Sequence, residues 1–258
     1  MQFIGQHHIM HLVSMLLVEL DANPDKGARR GILLVGPSGY GKTTLALAIC
    51  DFLAGKDFEY YLYDRREFLF RKRVIFIDEI HRMKEYEILF PFLDKQEHVF
   101  VLATNQTGGL PEALVNRCDE FIFTEYLDDE LLLMAMEGSP FRTSEENFLK
   151  LVRAANRNPR VLKALVDNFG LYFKQNPAIS PSLANFDQIL ADIFGIFDGQ
   201  DTLCRRYLEV LGTVGGKASL TLLSNILQID KATLSSQIEP VLLKTGKIQI
   251  SSKGRILL

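Results

Sequence analysis

Gly36-Pro37-Ser38-Gly39-Tyr40-Gly41-Lys42-Thr43-Thr44 matches G-x-x-x-x-G-K-[ST] in full. Glycines at these places let the backbone turn its N–H groups inward, so that an anion sits at the positive end of the helix that follows. Lys42 would then reach the β- and γ-phosphates of a nucleoside triphosphate, and the Thr43 hydroxyl can ligate Mg²⁺. Further on, Asp78-Glu79 follows an apolar run. In that position Asp78 would hold Mg²⁺ and Glu79 would orient and deprotonate the attacking water. Ala103-Thr104-Asn105 ends the next apolar run, where a polar side chain can hold the water or the γ-phosphate. Asn105 is the first candidate and Thr104 the second. Two arginines complete the set. Arg117 stands at the rim of the expected sheet, where it could enter a neighbour's site as an arginine finger, worth about 10³–10⁵ in rate in the best cases. Arg160, behind Asn158-Pro159, begins a helix and could reach the γ-phosphate from the same chain. The chemistry this implies is hydrolysis of ATP with Mg²⁺, beyond nucleotide binding alone.

Positioning these residues requires strands that end at one edge and helices that begin there. Ile32-Leu33-Leu34-Val35 reads as a buried parallel strand, with a helix from the P-loop to about residue 54. Further strands are expected at 59–63, 74–77, 99–102 and 121–123, with a first helix over 9–20. Strands alternating with helices argue an α/β fold with a parallel sheet covered on both faces. From residue 128 the pattern becomes helical only. Ser144 is a good N-cap for one helix and Pro159 stands in the first turn of another. After the glycines at 195 and 199 come three helical stretches, 202–211, 218–227 and 231–244. Two short β-type runs, 247–250 and 255–258, follow. Three helices and a two-stranded ribbon make a winged helix. The organisation expected is a nucleotide-binding domain over 1–125, a helical lid over 126–196 and a winged helix over 197–258.

The chain has 258 residues, 47% of them hydrophobic and 24% charged, in the range of ordinary globular proteins. Its formal net charge of −3 gives no global attraction for polyanions, so any grip on DNA must come from a local patch. Lys253 and Arg255, flanking Gly254 at the expected ribbon tip, are the candidates for that patch. Cys50, Cys118 and Cys204 are widely spaced, which suggests a reducing compartment. The apolar run from residue 12 to 20 is too short to span a bilayer, so a cytoplasmic protein without a membrane partner is expected. His7, His8 and His11 lack a third ligand nearby and read as no metal site. Arg65, Arg66, Lys72 and Arg73 read as a solvated face.

The order of these motifs carries a resemblance. Phe3-Ile4-Gly5-Gln6, the P-loop, Asp78-Glu79-Ile80-His81-Arg82, Ala103-Thr104-Asn105, Arg117 and Asn158-Pro159-Arg160 resemble the AAA+ ATPases, and among them the RuvB family of branch-migration motors. The tail is similar to that family's winged helix through Gly215-Gly216, the segment 238–246, and Lys253-Gly254-Arg255. The resemblance implies that Phe3, Ile4 and Tyr126 line an adenine pocket, with Pro159 beside Arg160 at the nucleotide. It also implies hexameric rings that move double-stranded or branched DNA in recombination or replication, with repair at Holliday junctions. Two departures stand out. Between Asp78 and the strand at Val99 there is room for one helix only, where RuvB-type motors insert a β-hairpin that docks RuvA. The segment between Leu62 and Val74 is also short. A clamp-loader-like remodeller and a DNA-binding regulator controlled by nucleotide are the alternatives to a motor.

Overall fold

The computed structural model describes residues 3–22, 30–62, 70–106, 108–181, 183–196, 202–252 and 254–258. The chain divides into two compact units, Met1–Met134 with Asn158–Arg160, and Ala135–Arg157 with Val161–Leu258.

The first unit opens with helix α1 (His7–Asp21), then β1 (Gly31–Val35), α2 (Lys42–Ala54), β2 (Glu59–Leu62) and β3 (Val74–Asp78). Two 3₁₀ turns and α3 (Phe90–Lys95) lead to β4 (Val99–Thr104), α4 (Glu112–Val115) and β5 (Cys118–Ile122). The five strands are parallel, in the order β2-β3-β4-β1-β5. Every residue of β1, β3 and β4 is buried, because a central parallel strand is covered on both faces. Full burial of a Leu or Ile such as Leu33 or Ile75 contributes roughly 1.5–3 kcal/mol each. Strand β5 is an edge strand in which only Cys118 and Phe121 are buried, and it starts three residues before the apolar run because the half-buried Asp119 and exposed Glu120 interrupt that pattern. Among the described residues no strand lies between β3 and β4, as the short spacing requires.

The second unit takes the end of α5 (Asp128–Gly138), then α6 (Glu145–Ala154), α7 (Pro159–Gln175) and α8 (Leu183–Asp192). The Ser144 hydroxyl caps α6 by accepting from the Asn147 N–H. These helices pack on phenylalanines: Phe169 stacks on Phe186 at 4.8 Å and on Phe194 at 4.2 Å.

The last part comprises α9 (Thr202–Thr213), β6 (Lys217–Ala218), α10 (Leu220–Leu227), α11 (Lys231–Thr233), α12 (Glu239–Lys244), β7 (Ile248–Ser251) and β8 (Gly254–Leu257). The ribbon expected as two strands is a sheet of three, in the order β6-β8-β7. A two-residue strand leaves no periodicity to read. Between α11 and α12 the backbone widens into a π-turn, Leu234–Ile238, next to Pro240, which supplies no N–H to a regular helix. This part has its own apolar core, centred on Tyr207, Leu211, Leu223, Leu234 and Leu242. Among the described residues no helix is long and apolar enough to cross a membrane, and no cluster of His, Cys, Asp and Glu could hold a metal ion.

Candidate active site at the strand ends

The strand register sets the site. Val35 pairs with Thr104 and Ile77 with Leu102, so the carboxyl ends of β1, β4 and β3 finish level, where ligands bind in open α/β sheets. The loop from Gly36 to Gly41 leaves β1 here. Gly39 and Gly41 have φ of +88° and +92°, which side-chain-bearing residues rarely adopt. A Cβ at Gly39 would also collide with Asn158 Oδ1. Tyr40 is buried, whereas Pro37, Ser38 and Thr44 are exposed.

Lys42 starts α2 and is 6% exposed. Its ammonium donates to Gly36 O at 2.7 Å, Pro37 O at 2.9 Å and Asn105 Oδ1 at 3.1 Å. Burial pulls its pKa below the ordinary lysine value, and the carboxylates of Glu79 and Asp78 act in the opposite direction. Thr43 donates its hydroxyl to Asp78 Oδ2 at 3.0 Å. A hydroxyl beside a carboxylate is a hard oxygen donor pair of the kind Mg²⁺ takes, so these residues fit that ion. The other oxygen of Asp78 accepts from the Glu79 N–H at 2.9 Å.

Glu79 has φ +53°, a conformation uncommon for a residue with a side chain and worth explaining at a functional site. The turn it begins faces its carboxylate to β4. Asn105 Nδ2 lies 3.5 Å from Glu79 Oε2, so Asn105 touches Lys42 with its oxygen and Glu79 with its nitrogen. His81 Nε2 is 3.4 Å from the same Glu79 oxygen, and His81 Nδ1 is 3.2 Å from Thr104 Oγ1. Thr104 is fully buried and donates to Gln106 O at 2.8 Å. Its hydroxyl thus supports the turn after β4 and the histidine, while Asn105 is the one aimed at the lysine. In the sequence His81 stands only within the Asp78–Arg82 motif, and one histidine in a charged turn carries no distinguishing signal.

On the other side of the loop, Asn158 Nδ2 donates to Ser38 O at 3.0 Å and its Oδ1 accepts from the Arg160 N–H at 3.0 Å. The same side chain therefore holds the segment 158–160 to the P-loop. Pro159 fills the first position of that helix, and Arg160 Nη1 lies 3.2 Å from Ser38 Oγ. Tyr126 is buried under the loop and donates to Tyr40 O at 3.0 Å. The Phe3 ring sits against Gly41, and Ile4 is half-buried beside it. Gln6, which sequence reasoning missed as a functional residue, is 3% exposed. Its amide donates to Thr124 O at 2.7 Å and accepts from Thr124 N at 3.0 Å, fixing the start of the chain beside Tyr126.

Arg117 lies outside this cluster, between α4 and β5. It forms a two-pronged pair with Asp94 at 2.7 and 3.0 Å. Arg255 differs from its expected setting at a ribbon tip. Its guanidinium donates to Glu239 at 2.7 and 3.1 Å, and Glu239 also accepts from the Tyr207 hydroxyl at 2.9 Å. The arginine thus serves a carboxylate that is 2% exposed. Gly254, expected to allow close approach to a phosphate, allows close approach of strands instead: a Cβ there would lie 2.5 Å from Ala218 O. Lys253, Arg65 and Arg66 lie outside the described residues. Lys72 pairs with Asp57 at 2.6 Å and Arg73 donates to Leu20 O at 2.8 Å.

Comparison with known proteins accords with this geometry. Residues 32–126 match the ATPase family associated with various cellular activities (AAA), and residues 198–257 match the RuvB C-terminal winged helix domain. The chain is 24% identical to the Holliday junction branch migration complex subunit RuvB of Mycoplasma genitalium, over 99% of this chain and 92% of the relative. It is 27% identical to the protein of that name from Granulibacter bethesdensis, over 99% and 81%. The solved Thermotoga maritima RuvB Holliday junction branch migration motor superposes with a TM-score of 0.78 at 24% identity, over 99% of this chain and 93% of that one. One polypeptide thus combines an AAA-type ATPase domain with a RuvB-type C-terminal winged helix, and it is similar to RuvB proteins along nearly its whole length.

Proposed function

We propose that this chain hydrolyses ATP to drive copies of itself, assembled as a ring, along double-stranded or branched DNA; the names of its relatives give Holliday junction branch migration as their role. The observation that carries the reading is the contact chain Lys42–Asn105–Glu79, in one polypeptide with a RuvB-type winged helix. Lys42 and the loop N–H groups bind the β- and γ-phosphates. Thr43 and Asp78 hold Mg²⁺, which neutralises phosphate charge when bound. Glu79 takes a proton from the attacking water, and Asn105 senses the γ-phosphate and fixes the Glu79 carboxylate. Arg160 adds positive charge from the same chain and Arg117 from a neighbour. Phe3, Ile4 and Tyr126 enclose the adenine.

The organisation proposed is 1–125 for the nucleotide, 126–196 for the lid and 197–258 for DNA, supported by the separate core of the last part. On the winged helix, Arg255 supports the fold, and the exposed lysines Lys217, Lys231 and Lys247 are the described candidates for phosphate contact. With no strand between β3 and β4, any junction-binding partner docks elsewhere than on a RuvA-type hairpin.

The test is ATP-dependent movement of a synthetic four-way junction by the wild-type chain and by Glu79→Gln. Movement that requires ATP and is lost in the variant supports the motor. Hydrolysis stimulated by DNA without any movement overturns it in favour of a loader or remodeller.

A further inference from the structure

Arg117 is held more firmly than an arginine on a half-exposed surface needs to be. Its backbone carbonyl accepts from the Gly31 N–H at 2.9 Å, pinning the residue to the start of β1. Its side chain gives Nε and Nη2 to the two oxygens of Asp94 and Nη1 to Ala113 O at 2.9 Å. The face of the guanidinium lies over the Phe90 ring, 4.7 Å from its centroid. Asp94 and Phe90 both belong to α3, the single helix between β3 and β4. The Asp94 side chain is 55% exposed, and an ion pair so open to water contributes little to stability. Three contacts therefore fix the direction of one cation without much benefit to the fold.

A guanidinium has five N–H groups, and these bonds use three. The edge gripped by Asp94 is the Nε–Nη2 edge, which leaves one N–H on Nη1 and one on Nη2 for a further acceptor such as a phosphate.

We propose that Asp94 is a positioning residue for Arg117, gripping one edge of the guanidinium so that the other is presented to the γ-phosphate bound by a second copy of this chain. The inference rests on the reading of Arg117 as a finger acting in a neighbour's site. An arginine already fixed in direction loses less freedom as the transition state forms. Asp94 touches no substrate and works only through Arg117.

The experiment uses the full chain with ATP and duplex DNA, comparing wild type, Asp94→Ala, Asp94→Asn and Arg117→Ala. Asp94→Ala is expected to lower turnover by about 10²-fold, the scale of a misplaced catalytic group, with ATP affinity unchanged. Asp94→Asn, which keeps one acceptor, falls less. Mixing supplies a readout that a merely structural role does not move. Lys42→Ala cannot bind nucleotide but carries a sound finger, whereas Asp94→Ala has a sound nucleotide site and a loose finger. Together they should regain turnover well above either alone. Failure to regain it while Asp94→Ala still binds ATP overturns the proposal. Asp94→Ala turnover equal to or above wild type, with Arg117→Ala inactive, also overturns it, since Asp94 would then be idle or restraining. Normal turnover in Arg117→Ala refutes the finger reading itself.

Discussion

Replacing Arg255 by alanine should destabilise the winged helix before it changes any DNA contact. Glu239 is 2% exposed and accepts two bonds from Arg255 and one from Tyr207. Without the arginine, one neutral hydroxyl is left to compensate a buried carboxylate. Breaking a buried pair in this way costs about 3–5 kcal/mol. The Arg255 side chain is 17% exposed, so water can enter where it was, and the lower end, about 3 kcal/mol, is expected. That is roughly a hundredfold in the unfolding equilibrium. With a urea dependence of about 2 kcal/mol per molar, the midpoint should fall by about 1.5 M. Tyr207→Phe removes one neutral donor and should cost about 1 kcal/mol. The assay is urea unfolding of the full chain followed by far-UV circular dichroism, beside duplex affinity over a salt series. An Arg255→Ala protein with an unchanged midpoint, and a salt slope lowered by about 0.9, would refute the structural role and restore Arg255 as a phosphate contact.

Lys42→Ala should abolish nucleotide binding, while Glu79→Gln should bind ATP and turn it over very slowly; equilibrium binding and steady-state turnover separate the two. Burial raises the Cys50 and Cys118 thiols from 9.0 to about 12, so folding opposes their ionisation. The stability this gives is whole below pH 9 and is lost as pH rises from there to about 12. Urea midpoints at pH 8 to 11 should therefore fall less steeply in a Cys50→Ala, Cys118→Ala double variant. Gly170→Ala should destabilise by about 1–3 kcal/mol through overpacking, although alanine is the better helix former, because the new methyl group would overlap Pro140; thermal unfolding checks this.

What the sequence made legible follows from how each element is built. Strands β1, β3 and β4 are buried on both faces, so an unbroken apolar run marks each, and the P-loop and acidic pair could be placed at their ends before any coordinates. Strand β5 is less legible because charged Asp119 and Glu120 occupy part of it. Asn105 could be ranked above Thr104 from position alone, and the contact with Lys42 follows that order. Asp94 gave no signal, being one charged residue on a short helix whose partner is 23 positions away. Gln6 was equally silent, since its partner Thr124 is 118 positions away. For Arg255 the expected turn over 252–254 includes residue 253, outside the described residues, and Gly254 already belongs to β8. The direction of the side chain depended on Glu239 across the fold, and no local pattern records that.

The Gln6–Thr124 clamp has a consequence in time. The two ends of this contact are separated by most of the first unit, and closing so long a loop becomes favourable only after the sheet between them has formed. A chain emerging from the ribosome has its P-loop, Asp78 and Asn105 well before Thr124 exists to receive Gln6. The clamp that holds the residues around Gln6 is therefore among the later contacts of the first unit to close during synthesis.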